Sequence, residues 1–208
     1  MQQWAVFTGD IIRSSDLEPE ALARIFATLE DHCKMIGAWP QSTAALQRFR
    51  GDGWQMALPV RYALRAALVM RAAVRATGKG HDTRIGIGIG AGTLAGGDLA
   101  AADGPAFVNS GRALDEIKRG PRMAASEGPD LLRMVLPLAD CVVQGWTPKQ
   151  AQVAASLLTP DPPSHDALAA ALGHTRQLIQ KQATAAGIAA LLESTATFER
   201  IQSDKKAT

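Results

Sequence analysis

The chain has 208 residues, 47% of them hydrophobic and 20% charged, with a formal net charge of +2. Such a composition excludes whole-chain disorder and provides ample material for a core. A charge this small gives no global sign of a nucleic-acid or membrane partner, so any such function must be written locally. Cys33 and Cys141 stand far apart without metal-ligand spacing and predict reduced thiols in a soluble, cytoplasmic protein. No stretch reaches the roughly 20 consecutive apolar residues of a membrane span, and the first residues lack a signal-peptide pattern.

In chain order, Trp4 to Phe7 predicts a short buried strand that runs into Gly9-Asp10. Leu22, Ile25, Phe26 and Leu29 have helical spacing and predict a helix over 17–37, with Asp16 as its cap and Gly37 as its stop. "STAALQRF" and "WQMAL" are strand-like and flank Gly51-Asp52-Gly53, a hairpin signal because glycine accepts the positive φ of tight turns. Residues 60–77 form a second, alanine-rich helical pattern. "TRIGIGIGAG" predicts a strand with Ile85, Ile87 and Ile89 on one side and glycines on the other. The glycine stripe Gly86, Gly88, Gly90 and Gly92 admits either a close-packed helix or the approach of a ligand or partner, the former favoured. This β-α-β-β-α-β order is the split arrangement of ferredoxin-like sheets.

"ADGPAFVNSGRALDEIKR" predicts a turn and then a helix to about Arg119, and "GPRMAASEGPD", with two Gly-Pro breaks, predicts a linker. Residues 131–143 are helical in pattern, bent or broken at Pro137, and Thr147-Pro148 opens another helix. "TPDPPS" is a loop, followed by helices over 166–172 and 175–186 with Gly173 between them, and a last helix over about 188–201. The expected fold class is therefore α+β: a domain over 1–129 followed by an all-α domain over 130–208.

In a split sheet of this kind the first strand lies beside the hairpin, so Asp10 and Asp52 meet at one end. At roughly 5 Å and an effective dielectric near 20, two carboxylates repel by about 3 kcal/mol. Protonation or a cation must offset this, and Mg²⁺, which takes one or two carboxylates and completes its shell with water and phosphates, suits the pair. Turn and helix-start geometry is the plainer explanation of the same residues.

"FTGDIIRSSDL", "RFRGDGWQMAL", "RIGIGIGAGTL" and "DGPAFVNSGRALDEIK", in that order, resemble the class III nucleotidyl cyclase catalytic domain, a palm-type fold. More closely, they resemble the SatD family, cyclase-like proteins with a C-terminal helix-turn-helix. The likeness spans residues 4–119, and SatD-like features continue from "GWTPKQ". It implies that Asp10 and Asp52 hold Mg²⁺ or Mn²⁺ with a nucleotide, and that Gly9, Ile11, Arg48, Asp103 and Gly104 contribute to nucleotide binding. Arg48 stands where many cyclases use a purine-reading lysine. Asn109 and Arg112 would be the catalytic pair if the protein cyclises, but the family spaces them four apart and here they are three apart, Val108 taking the place of the Asn. A one-residue shift turns a helical side chain by about 100°, and misplaced donors cost catalysis heavily. The resemblance also implies a homodimer, since cyclase sites form between two subunits.

"SHDALAAALGHTRQLIQKQATAAG" has the layout of a DNA-binding helix-turn-helix: small Ala169 inside, Gly173 at the turn, Ile179 buried. Thr175, Arg176, Gln177, Gln180 and Lys181 are the candidates to face double-stranded DNA. His174 stands where such motifs carry an apolar residue, and His32, His81 and His165 read as surface groups. The expectation is a nucleotide-responsive DNA-binding regulator. Its rivals are an active nucleotidyl cyclase with a helical control module, and a protein whose two parts act only in protein contacts.

Overall fold

The computed structural model describes residues 2–49, 51–117 and 120–207. Strand β1 (Gln3–Ile11) leads into helix α1 (Pro19–Gly37), the hairpin β2 (Ala45–Arg48) and β3 (Gly53–Pro59), helix α2 (Ala63–Ala76) and strand β4 (Thr83–Ala91). Helix α3 (Pro105–Glu116) and strand β5 (Met123–Glu127) follow. The rest is helical: α4 (Asp130–Gln144), α5 (Pro148–Leu157), α6 (His165–Leu172), α7 (Arg176–Ala185) and α8 (Ile188–Ala207). The protein is α+β, with one five-stranded mixed sheet in the order β2-β3-β1-β4-β5. All neighbours pair antiparallel except β4 and β5, which pair parallel.

Alternation along the strands divides the sheet into two faces. Ala5, Phe7, Ile11, Trp54, Met56, Leu58, Ile85 and Ile87 point into the main core with α1 and α2. Trp4, Val6 and Ala57 point to the other face, where Ala106 of α3 meets them. There β4 offers Arg84 at its start and then only glycine. A Cβ on Gly88 would stand 2.1 Å from the Ala106 carbonyl oxygen and 2.4 Å from the Ser110 nitrogen, and one on Gly86 would stand 2.3 Å from the Leu114 nitrogen. The glycine stripe therefore lets the α3 backbone lie directly on β4.

Helix α2 is buried from Ala63 to Val74, its apolar side chains packed on several sides and its buried Arg65 and Arg71 spent on ion pairs with Glu199, Asp82 and Asp140. The sheet lies on one side of it and α5, another alanine-rich helix, on the other, with α1, α4 and α8 also in contact. Side chains from both sides of residue 129, from Phe7 to Phe198, belong to this one hydrophobic cluster.

Several expectations need correction. Met123–Glu127 of the predicted linker forms β5, which extends the sheet beyond β4. Asp16 does not cap α1: it ends a 3-10 turn (Ser14–Asp16), and α1 starts at Pro19, whose fixed φ suits a first helical position. Asp10 lies inside β1 rather than past its end. Pro137 does not break α4, which runs unbroken through it. The α3 helix stops at Glu116, and Arg119, the expected end, lies outside the described residues. The last helix runs to Ala207.

Candidate functional site

Asp10 is the penultimate residue of β1 and stands between Gly53 of β3 and Arg84 of β4. Because Asp52 directly precedes Gly53, the hairpin carries it to the same sheet end, and the Ile11 amide donates to the Asp52 carbonyl at 3.2 Å. Arg84 grips Asp10 as a fork, Nε to Oδ1 at 2.8 Å and Nη2 to Oδ2 at 2.5 Å. The Ser14 hydroxyl donates to Asp52 Oδ2 at 2.5 Å. That hydroxyl is brought back over the strand end by Arg13, a non-glycine residue in the left-handed region at φ 53°.

The three charges form one electrostatic unit. The Arg84 pKa is raised by its hydrogen bond to Asp10 and then by the negative charges of Asp10 and Asp52, against the opposing effect of burial. Two carboxylates and one guanidinium leave a formal charge of −1. The group is neither sealed nor free: the side chains of Arg84 and Asp10 are 32% and 19% exposed.

Behind it lies a connected network of polar groups. Thr83 donates its hydroxyl to the Asp10 carbonyl at 2.7 Å and accepts from Trp54 Nε1 at 3.0 Å. Asp82 accepts from the Thr83 amide at 2.9 Å, from Arg71 Nε and Nη2 at 2.8 and 3.0 Å, and from Arg75 Nη1 at 2.8 Å. Arg71, fully buried, also bonds Asp140 of α4. Arg75 reaches the Trp146 carbonyl at 2.5 Å, and Trp146 Nε1 donates to the Ala186 carbonyl at 2.9 Å. An unbroken polar chain thus joins the Asp10 end of the sheet to the C-terminus of α7.

The side chains of the other expected residues point or lie away from this group. Gly9 faces the opposite side from Asp10, where a Cβ would stand 2.4 Å from the Trp54 ring, and Ile11 is buried in the core, so both have packing roles. The Arg48 guanidinium lies 3.8 Å from the centre of the Phe26 ring and donates to the Gly51 carbonyl at 3.1 Å, on the α1 side of the sheet. Asp103 pairs with Thr93, and Gly104, at φ 130°, opens α3 against Ala91 and Gly92. They sit at the far end of β4, seven residues or about 23 Å from Arg84. The Asn109 carbonyl accepts the Ser126 hydroxyl at 2.7 Å, and Arg112 shares the solvent side of α3 with exposed Val108.

In the tail, α6 and α7 are joined by a three-residue turn in which Gly173 is left-handed. Ala169 and Ile179 are buried. Thr175 caps α7 by accepting from the Leu178 amide, and Arg176 pairs with Asp166 at 3.4 Å. Gln177, Gln180 and Lys181 are exposed on α7, and His174 is exposed in the turn.

Chemically, the sheet end offers hard carboxylate oxygens and a cation side by side, with a hydroxyl at the edge. Among the described residues no group of three or more His, Cys, Asp or Glu is set to hold a metal. A two-carboxylate set nonetheless suits a Mg²⁺ that keeps most of its water shell. The donor set fits, because the Arg84 fork uses one lone pair on each Asp10 oxygen and leaves others open. Arg84 and Ser14 were not among the sequence-predicted site residues. The signal for Arg84 is its place two residues before Gly86 in β4, which fixes it on the Asp10 face once the register is known. No family model matches the chain, and no curated protein matches it significantly.

Proposed function

We propose that the protein is a nucleotide-responsive DNA-binding regulator of SatD type, with a cyclase-like, ferredoxin-like domain over 1–129 and a helix-turn-helix domain over 130–208. The observation that carries the reading is the convergence of Asp10, Asp52 and Arg84 on one sheet end. Mg²⁺ or Mn²⁺ bound there would supply positive charge to phosphate oxygens. Asp10 and Asp52 would hold it, turning the local formal charge from −1 to +1, while Arg84, forked on Asp10, would add a second cation toward phosphate. Binding is favoured over cyclisation, since exposed Val108, not an asparagine, stands one turn before Arg112 on the solvent side of α3.

The exposed polar face of α7 supports the DNA half of the reading: Gln177 and Gln180 suit base edges, and Lys181 suits phosphate. Its few cations call for two copies acting together, in line with the expected homodimer. The polar chain through Asp82, Arg75 and Trp146 is the route by which occupancy at the sheet end would bias α7.

The test is calorimetric titration of ATP and GTP in the presence of Mg²⁺, with a parallel assay for cyclic product. The reading expects one nucleotide to bind wild type, at least tenfold weaker binding to Asp52→Asn, and no product. A wild-type product abolished by Asp52→Asn would make the protein an active cyclase. Absence of binding of either nucleotide to wild type would overturn the reading.

A further inference from the structure

Helix α4 carries three of the five large hydrophobic side chains that are exposed among the described residues: Met134 at 70%, Leu138 at 72% and Val142 at 41%. Their spacing is i, i+4, i+8, so they form one ridge along the helix. Its opposite side is spent on the core through Leu132, Leu136, Ala139 and Val143. Pro137 and Cys141 are also exposed, and no charged side chain interrupts the outer surface between Arg133 and the end of the helix. Scattered exposed apolar residues are ordinary, but an aligned, uncharged ridge is not.

We propose that this ridge is the contact between two copies of the chain, α4 packing antiparallel on the α4 of the second copy about Leu138. Self-pairing suits it on two grounds. An i±4 ridge interdigitates with an identical ridge, and with Leu138 at the two-fold axis Met134 of each copy meets Val142 of the other. The charges select the antiparallel sense. Asp130 and Arg133 pair at 3.6 Å at the N-terminal end, and the last turn of α4 carries no basic side chain. Antiparallel packing brings each Arg133 toward the carbonyl-rich C-terminus of the other helix, with its partner Asp130 one turn farther out, whereas parallel packing crowds both Arg133–Asp130 pairs at one end.

The contact is modest. A 15-residue helix is about 22 Å long, so the pair buries well under the 1,200 Å² or so of a standard interface, which sets it among weak contacts. Because Val142 lies against Gly187, at the α7–α8 turn, this contact also sets the relative placement of the two α7 helices. The inference rests on the homodimer in the proposed function and names its surface.

The test is sedimentation of the full chain from 1 to 200 µM, without nucleotide or DNA, for wild type, Leu138→Arg and Met134→Lys. Both variants alter exposed side chains, and circular dichroism checks their fold. Wild type is expected to shift from monomer to dimer across this range, and each variant to remain monomeric. Cys141 gives a second readout, since Cys33 is buried. About Leu138 the two Cys141 residues are offset by about 9 Å along the helix axis, beyond a disulfide but within reach of a short bismaleimide. Cross-linked dimer is expected from wild type and not from Cys141→Ser. A wild-type dimer that persists in Leu138→Arg would overturn this surface while leaving the homodimer standing. Wild type monomeric at 200 µM would overturn both.

Discussion

Replacing Gly88 with alanine should dislodge α3 from the sheet. The new Cβ would stand 2.1 Å from the Ala106 carbonyl oxygen, where ordinary contact begins at 3.4 Å. The obstruction is backbone, so no side chain can swing aside, and α3 must retreat by roughly 1.3 Å. Such a gap forfeits a substantial part of the dispersion contact beneath Ala106 and Ala113 and stretches the 2.7 Å bond between Thr8 and Ser110. Overpacking typically costs 1–3 kcal/mol and a net hydrogen bond about 1, giving about 3 kcal/mol for Gly88→Ala. For a chain of this length the melting temperature should fall by about 6–12 °C. Gly111, in the same helix, has nothing within 4 Å of a built Cβ, so Gly111→Ala should gain about 0.5–1 kcal/mol and melt a few degrees higher. Differential scanning calorimetry measures both. A Gly88→Ala melting point within 2 °C of wild type, or a Gly111→Ala variant less stable than Gly88→Ala, would refute the packing argument.

Arg71→Met should cost about 3–5 kcal/mol, because it leaves the buried carboxylates of Asp82 and Asp140 without their shared cation. Urea unfolding measures the loss, and adding Asp140→Asn should restore part of it. His81 titrates below its ordinary value, chiefly because burial disfavours its charged form and secondarily through Arg24. The unfolded chain therefore takes up that proton first, so this contribution is present above about pH 6.5 and lost as the pH falls below it. His81→Gln should lose less melting temperature than wild type between pH 7.5 and 5.5, and an equal loss would remove His81 from the explanation. Lys181→Ala should weaken DNA retention uniformly across sequences and lower the salt slope by about one, read by fluorescence anisotropy at several salt concentrations.

Much of the fold is legible in the sequence where side chains repeat. The alternation in β1, β3 and β4, the Gly51-Asp52-Gly53 hairpin and the capped helices of the tail all stand out. β5 is not legible, because "MAASE" is neither β-branched nor aromatic and becomes a strand only through parallel pairing with β4. At the site, Asp10 and Asp52 are readable because glycines beside carboxylates interrupt apolar runs. Arg84 is hidden, since an arginine at a strand start looks solvent-facing until the register sets it opposite Asp10. Arg71 is harder still: its partner Asp140 lies 69 residues away, and nothing in an alanine-rich helix marks one arginine as buried. Arg48 shows the converse, a residue singled out by the family resemblance that the structure sets on the Phe26 ring.

In the proposed function the sheet end acts as a single cation site. Titration of Mn²⁺ followed by electron paramagnetic resonance, on wild type, Asp10→Asn, Asp52→Asn and Arg84→Met, tests this most directly. One site is predicted in wild type, lost or weakened at least tenfold in each aspartate variant. In Arg84→Met it should be about tenfold tighter, because a competing positive charge is gone. Mn²⁺ binding unchanged in both aspartate variants, or absent from wild type, would contradict the account.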